Sequence, residues 1–264
     1  MQDELAMVRD LARRELYAFI SIATADPAAR ENRLDDLTTT AVLNCALELI
    51  HDDAQFHPAS LGPDEIDPAR LTLRLPGRLE TAIHQEYEAV FGYCSSKNCP
   101  PYETEYCALK DIHFRSQQMA DVAGFYRVFG LKPSSKVHDR LDHISLETEF
   151  MAILITRQLH ALHQDLCAEA AEVCYEAQRA FFKDHLGWWL PAFGVRLMKE
   201  ASGFYKIFGK LICAFIPAER AFFGLPPMTR IPVAEPHLHE EMECASNCAL
   251  GADPHLSTFC NPRM

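Results

Sequence analysis

Apolar residues recur every three or four positions along most of this chain, and that period constrains the fold more than any other feature. The first such run places one apolar face on a helix, at Leu5, Val8, Ala12, Leu16, Phe19, Ile20 and Ala23. Asp26-Pro27 then marks the end of this helix. Strand-like alternation is brief, at Leu71, Leu73 and Leu75, and has no evident partner strand. The pattern therefore predicts an all-α protein.

Further periodic segments predict additional helices over residues 37–50, 79–91, 108–129, 142–162, 165–185 and 191–216. Gly130 is expected to end the fourth helix in the left-handed conformation. The sequence favours a two-part helical bundle with a loop-rich C-terminal extension. We predict an N-terminal helical half over residues 1–130, a hinge over 131–141, a C-terminal helical half over 142–216 and a Pro- and Cys-rich tail over 217–264.

Charge and hydropathy narrow the partners that such a bundle can have. The chain is 48% hydrophobic, which is ample for a core, and its formal net charge is -12. Negative charge argues against a nucleic-acid or anionic-membrane partner, whereas a basic peptide would be attracted. An acidic surface that only keeps the protein soluble is the alternative interpretation. No run approaches the roughly 18 apolar residues of a membrane span, so we expect a cytoplasmic location without stable membrane insertion.

The ten cysteines form three sets. Four lie within helical apolar patterns, where a thiol behaves as a small hydrophobe, and are predicted to be core residues: Cys45, Cys167, Cys174 and Cys213. A second set, Cys94, Cys99 and Cys107, surrounds a Pro-Pro loop. A third set lies in the tail with two histidines, at His237, His239, Cys244, Cys248 and Cys260. The last two sets could hold zinc or an iron–sulfur cluster, although neither has a standard C-x2-C spacing, and free thiols are the competing interpretation.

Two short segments combine fixed backbone with charged side chains. In the first, Pro100-Pro101 imposes an extended backbone ahead of Tyr102 and Glu103, which a structural turn would also explain. In the second, Asp142 stands directly before an apolar-periodic run and is predicted to be a helix N-cap, with His143 in the first turn.

Taken together, these segments resemble the TorD/DmsD/NarJ family of redox-enzyme maturation chaperones. The matching elements are Pro100-Pro101-Tyr102-Glu103, Phe125-Tyr126 with Gly130-Leu131, Asp142-His143-Ile144, Glu149-Phe150-Met151, His185-Leu186, Trp189-Leu190-Pro191 and Phe204-Tyr205. The resemblance extends over roughly residues 5–219. One departure is Arg140, which stands where the family often has a proline before its Asp-His pair.

The resemblance implies a TorD-like helical fold and a chaperone without catalytic turnover. It would bind a molybdopterin-containing oxidoreductase, through the catalytic subunit or its twin-arginine leader, until cofactor insertion is complete and before export. The client-binding residues expected from the resemblance are Tyr87, Phe91, Pro101, Tyr102, Glu103, Tyr106, Asp142 and His143. Capping and packing at the Asp142-His143 pair are an alternative to direct contact. Exchange of helical halves across the hinge could also produce a homodimer.

Two other functions are compatible with the residues alone. His51-Asp52, and His138 with Asp139, Asp142 and His143, superficially resemble the metal site of helical His-Asp phosphohydrolases, which use a divalent ion to activate water. The cysteine sets would suit a metal- or redox-sensing helical protein. No P-loop pattern is present, so nothing in the sequence predicts nucleotide binding. A chaperone that requires no cofactor remains the preferred hypothesis.

Overall fold

A computed structural model describes residues 2–27, 36–67, 79–92, 98–107, 112–133, 139–163 and 168–229. Eight α-helices lie in these ranges: α1 Gln2–Thr24, α2 Asp36–Asp52, α3 Leu79–Phe91, α4 Ile112–Val128, α5 Ile144–His163, α6 Ala168–Phe181, α7 Gly187–Glu200 and α8 Gly203–Phe222. Short 3-10 helices cover Ala54–Phe56 and Glu103–Tyr106, and a π-helical turn covers Phe182–Leu186. No β-strand occurs in the described ranges, and the all-α prediction is confirmed. None of these helices is long and apolar enough to span a membrane.

Local sequence signals locate most helix ends correctly. α1 ends at Thr24, just before the Asp26-Pro27 stop. Gly130 adopts a φ of 66°, and the Leu131 amide donates to the Tyr126 carbonyl at 2.8 Å, which closes the C-terminus of α4 as predicted. These helix ends depend on residues within one turn of the helix, so they can be predicted from the sequence.

The single helix predicted over residues 191–216 was wrong, because the chain breaks it at Ala201-Ser202 into α7 and α8. Glu86 on α3 explains the break. Its carboxylate accepts from the Phe204 amide at 3.0 Å and the Tyr205 amide at 3.2 Å, and so caps the start of α8. α8 then continues to Phe222, six residues beyond the predicted end at Ile216.

α7 and α8 pack closely at two glycines. A Cβ on Gly194 would lie 2.7 Å from the Cys213 sulfur, and one on Gly209 would lie 2.7 Å from the Gly194 carbonyl oxygen. Pro191 inside α7 has no amide hydrogen to donate to the Gly187 carbonyl. Arg220 of α8 donates to this carbonyl instead, at 3.4 Å. This tight pair supports the residues at the start of α7 that form the site described below.

A single hydrophobic core joins helices from both sides of the predicted hinge, with α1 packed along α5 and α3 against α8. A buried ion pair ties α1 to the end of α8: Arg13 Nε lies 2.7 Å from Glu219 Oε1, and Tyr17 donates to Glu219 Oε2 at 2.9 Å. The division into two halves stays a prediction, and residues 134–138 of the hinge lie outside the described ranges.

The core prediction for cysteines is confirmed in part. Cys174 and Cys213 are buried, as expected from their helical pattern. Cys45 is exposed, so its assignment to the core was wrong. The neighbouring residues of α2 explain the error, because Leu43 and Ala46 take the buried positions and turn Cys45 outward. Cys167 lies outside the described residues.

Candidate functional site

The Pro-Pro loop and the Asp142-His143 turn lie against each other as an isolated β-bridge between Tyr102 and His143. The Glu103 amide donates to the Asp142 carbonyl at 3.0 Å, and the Ile144 amide donates to the Pro101 carbonyl at 2.9 Å. The two segments singled out in the sequence therefore form one structural unit, at the N-terminus of α5.

Asp142 is fully buried and holds this unit together. Its Oδ2 accepts from the Thr104 amide at 3.1 Å and the Thr104 hydroxyl at 2.8 Å, while Arg140 donates to Oδ1 at 3.0 Å and to Oδ2 at 2.7 Å. Asp142 thus caps the 3-10 helix Glu103–Tyr106 rather than α5, and the predicted N-cap role was wrong. The error has a tertiary cause, since Thr104 lies 38 positions earlier in the chain.

His143 is the residue that precedes α5, not a member of its first turn as predicted. Its Nδ1 lies 3.2 Å from the Ser145 amide and 2.7 Å from the Ser145 hydroxyl, an arrangement that suits the neutral Nε2–H tautomer. Burial lowers the pKa of His143, against the opposing effect of Asp139 and Asp142. His143 is therefore a neutral capping residue in this conformation.

Glu103 turns inward and connects three elements. It is fully buried, and it accepts from Gln118 of α4 at 2.8 Å and from the Trp188 indole of α7 at 2.9 Å. His185, in the π-helical turn, places Nδ1 at 3.1 Å from Glu103 Oε2 and Nε2 at 3.4 Å from Asp121 Oδ2. The carboxylate therefore fixes the 3-10 helix to α4 and α7.

Glu147, one turn into α5, is a buried acidic residue to which the sequence analysis gave no role. Trp189 donates its indole N–H to Glu147 at 3.3 Å. Burial, followed by the charges of Glu103 and Asp142, raises the pKa of Glu147 well above its ordinary value. A sequence signal did exist, because Glu147 lies on the same helical stripe as the buried residues Ile144 and Met151.

The remaining client-binding candidates lie around this unit. Phe91 packs against Tyr205 at 5.1 Å between ring centroids, and Tyr106 packs against Trp189 at the same separation. Among the eight candidates only Tyr87 and Tyr102 are partly exposed; the other six are buried. Arg140 stacks on the Tyr102 ring at 4.5 Å. Direct contact of the eight residues with a client stays a prediction.

Of the five predicted metal ligands, Cys99 lies among the described residues. Cys94, Cys244, Cys248 and Cys260 lie outside the described residues. Cys99 is buried, and burial raises the pKa of its thiol to about 12, which disfavours the thiolate that a metal needs. Within the described part of the chain, no three His, Cys, Asp or Glu side chains are grouped so that they could hold an ion. Metal binding stays a prediction.

The phosphohydrolase alternative gains no support from this geometry. His51 is about half exposed at the end of α2, with its Nε2 4.0 Å from Asp52 Oδ1. Asp142 and His143 belong instead to the buried unit at α5, where internal partners bind both carboxylate oxygens of Asp142 and Nδ1 of His143. His138 lies outside the described residues.

Comparison with known proteins agrees with the arrangement of these residues. A family model described as "Nitrate reductase delta subunit" matches residues 67–194, which include the loop, the turn, Glu147 and Trp189. A perchlorate reductase assembly chaperone protein of Dechloromonas aromatica is 26% identical over 229 residues, or 83% of this chain and 94% of the relative. The chain is similar to the TorD/DmsD/NarJ family of chaperones.

Further members of the TorD/DmsD/NarJ family match smaller parts of the chain. The chaperone protein TorD of Photobacterium profundum is 25% identical over 182 residues, covering 65% of this chain and 82% of the relative. The TorD protein of Vibrio cholerae El Tor is 29% identical over 106 residues, 40% of this chain and 45% of the relative. No solved structure matches the chain.

Proposed function

We propose that this chain is a cytoplasmic chaperone for assembly and cofactor insertion of a molybdopterin-containing oxidoreductase, and that it acts without catalytic turnover. The observation that carries the proposal is the similarity, over 83% of the chain, to a protein named as a reductase assembly chaperone. Before export, the chaperone would bind the catalytic subunit of its client or the twin-arginine leader of that subunit.

The geometry of the site suits binding better than chemistry. Both carboxylate oxygens of Asp142 and Nδ1 of His143 bind internal partners, which suits a rigid support better than a set of reactive groups. The partly exposed edge of this support carries Tyr102 with Arg140 stacked on it. An aromatic side chain held in place in this way offers a client contact area at little entropic cost.

The negative net charge of the chain favours a basic ligand, such as a leader with paired arginines. The net charge of -12 attracts cationic peptides over a distance that depends on salt. Micromolar affinity, about -8 kcal/mol, would suffice for a client that must later be released. Binding of the leader should therefore weaken as ionic strength rises, whereas binding of an apolar surface of the mature subunit should not.

Co-purification of the tagged full-length chain tests the proposal. We expect a molybdoenzyme catalytic subunit to be recovered, and a synthetic leader with paired arginines to bind more tightly than one in which glutamates replace them. Tyr102→Ala should weaken recovery at least several-fold, while Leu162→Ala, which alters a 51% exposed residue at the end of α5, should not. Recovery of no such subunit, together with hydrolysis of phosphate esters when divalent metal is added, would overturn the proposal.

A further inference from the structure

The side chain of Arg140 lies among groups that together recognise a guanidinium ion. It donates from Nε to Asp142 Oδ1 at 3.0 Å and from Nη2 to Asp142 Oδ2 at 2.7 Å, so two hydrogen bonds join the two groups as a fork. Its Nη1 donates to Glu105 Oε1 at 3.1 Å. The guanidinium also stacks on the Tyr102 ring, with Cζ 4.5 Å from the ring centroid. A forked carboxylate, a second carboxylate and an aromatic face are contacts that select arginine over lysine.

The groups around the guanidinium are also held by contacts that do not involve Arg140. Asp142 accepts from the amide of Thr104 at 3.1 Å and from its hydroxyl at 2.8 Å. Tyr102 is joined to His143 by the β-bridge, and the two rings lie 5.1 Å apart between centroids. The carboxylate and the aromatic ring therefore keep their places when the side chain of Arg140 leaves.

Arg140 is the member of this cluster that can leave most easily. Its side chain is 40% exposed, whereas that of Asp142 is 0% exposed. The turn stays closed without the guanidinium, because the His143 amide donates to the backbone carbonyl of Arg140 at 3.0 Å. Glu105 keeps a second cation, since Arg115 Nη2 lies 3.7 Å from its Oε2. An ion pair with so exposed a member shifts an equilibrium by only about fivefold.

We propose that Asp142, Glu105 and Tyr102 form a binding site for an arginine side chain of a client peptide, and that Arg140 occupies this site as an internal competitor until the peptide displaces it. The exchange replaces one guanidinium by another, so the buried carboxylate has a cation in both end states. The inference deepens the proposed function and rests on it for the identity of the peptide. The site itself rests on the contacts of Arg140.

The internal competitor sets how tightly the site holds an incoming arginine. Arg140 is tethered two residues from Asp142, so a free arginine competes with it at a disadvantage. A peptide that makes further contacts beside the site overcomes this disadvantage, because its arginine is then tethered as well. When the peptide leaves, Arg140 pairs with Asp142 again. Such an exchange suits a client that has to be released.

Arginine probes test the site on the full-length chain without a client. Arg140→Ala should bind N-acetyl-arginine amide about fivefold more tightly than wild type in an NMR titration, because the competitor is gone. It should bind N-acetyl-lysine amide more weakly than the arginine probe, since an ammonium group makes no fork. Arg127→Ala is the matched control, because it removes the same charge from an exposed residue of α4, and it should keep the wild-type affinity. Equal affinities of Arg140→Ala and wild type for the arginine probe would overturn the proposal.

Arg140→Lys decides the question if Arg140→Ala does not fold. Lysine keeps the charge but makes no fork with Asp142, so this variant should also bind the arginine probe more tightly than wild type. The same affinity as wild type would again contradict the proposal.

Displacement of Arg140 can be followed in wild type. Its Nε–H signal, identified by its loss in Arg140→Lys, should exchange with water faster when a leader with paired arginines is bound. An unchanged rate at saturating leader, or failure of the leader to bind, refutes the displacement. Co-purification separates the two proposals. A recovered molybdoenzyme subunit with an unchanged Arg140 signal overturns this inference alone, whereas arginine binding by Arg140→Ala without a recovered subunit supports the site and counts against the proposed function.

Discussion

Replacing Asp142 by alanine should destabilise the fold by an amount that follows from its four hydrogen bonds. Thr104 is fully buried, so its amide and hydroxyl would lose their acceptor without gaining water. Each buried group left without a partner costs about 1–3 kcal/mol. Arg140 contributes little, because its side chain is 40% exposed and keeps Glu105 at 3.1 Å. The expected loss for the two groups is about 2–6 kcal/mol, out of a total of about 5–15 kcal/mol.

Urea unfolding followed by far-UV circular dichroism measures this loss. Asp184→Ala is the matched control, because its side chain is 48% exposed and pairs with the exposed Lys183 at 3.3 Å. The control should change the free energy of unfolding by less than about 0.5 kcal/mol. A loss below about 1 kcal/mol for Asp142→Ala would refute the reasoning that its internal hydrogen bonds hold the loop.

Asp142→Ala also distinguishes between two roles of the Asp142 carboxylate, internal support of the loop and direct contact with a client. At a temperature where Asp142→Ala remains folded, with its helix content intact, a chaperone that uses Asp142 only as a support should retain part of its client maturation. Complete loss of maturation in the folded variant would indicate that the carboxylate itself binds the client. Loss of folding would favour the capping role alone.

Three further predictions address other parts of the chain. Because burial lowers the pKa of His143, the unfolded chain takes up its proton first; stability should therefore fall as pH drops below about 6.5, and His143→Gln should reduce that slope in urea unfolding. Glu219→Gln removes the carboxylate that accepts from Nε and Nη2 of the buried Arg13, while Asp10 stays 3.0 Å from its Nη1, and the change should cost about 1–3 kcal/mol in free energy of unfolding. If the cysteines of the tail hold a metal, analysis of untagged protein should detect stoichiometric zinc or iron that Cys244→Ser with Cys248→Ser removes; absence of both metals in the wild type would eliminate the site and leave free thiols.

The helices were largely predictable, because their signals are local. The apolar stripe of α1 and the glycine at residue 130 each act within a few residues, so the sequence contains the whole cause. The break between α7 and α8 was missed although Ser202-Gly203 is a local signal for it, with Gly203 at a φ of 53°, and the break also has a distant cause. It depends on Glu86, which lies 118 positions before the amide of Phe204 that it caps. A continuous apolar period through the break gave no sign of a distant capping residue.

The location of the site could be predicted from the sequence, but the hydrogen bonds within it could not. The sequence identified the loop at Tyr102 and the turn at Asp142, and the structure joins them. It could not indicate that Glu103 faces inward, because the Trp188 indole that binds it lies 85 positions away. Glu147, in contrast, was overlooked although its burial has a local signal in the sequence. It lies on an apolar helical stripe, where an acidic residue requires a buried partner or a proton.

The buried pair of Arg13 and Glu219 also bears on the order in which the protein is made. The ribosome synthesises Arg13 near the beginning of the chain, and its partner follows 206 residues later. Until Glu219 emerges, the Arg13 guanidinium lacks the carboxylate that accepts from its Nε and Nη2, although Asp10 of α1 lies 3.0 Å from its Nη1. α1 therefore cannot form this full set of polar contacts until the last described helix has been made. By this reasoning a protein proposed to guard unfinished enzymes completes its own described core only after α8 has been made.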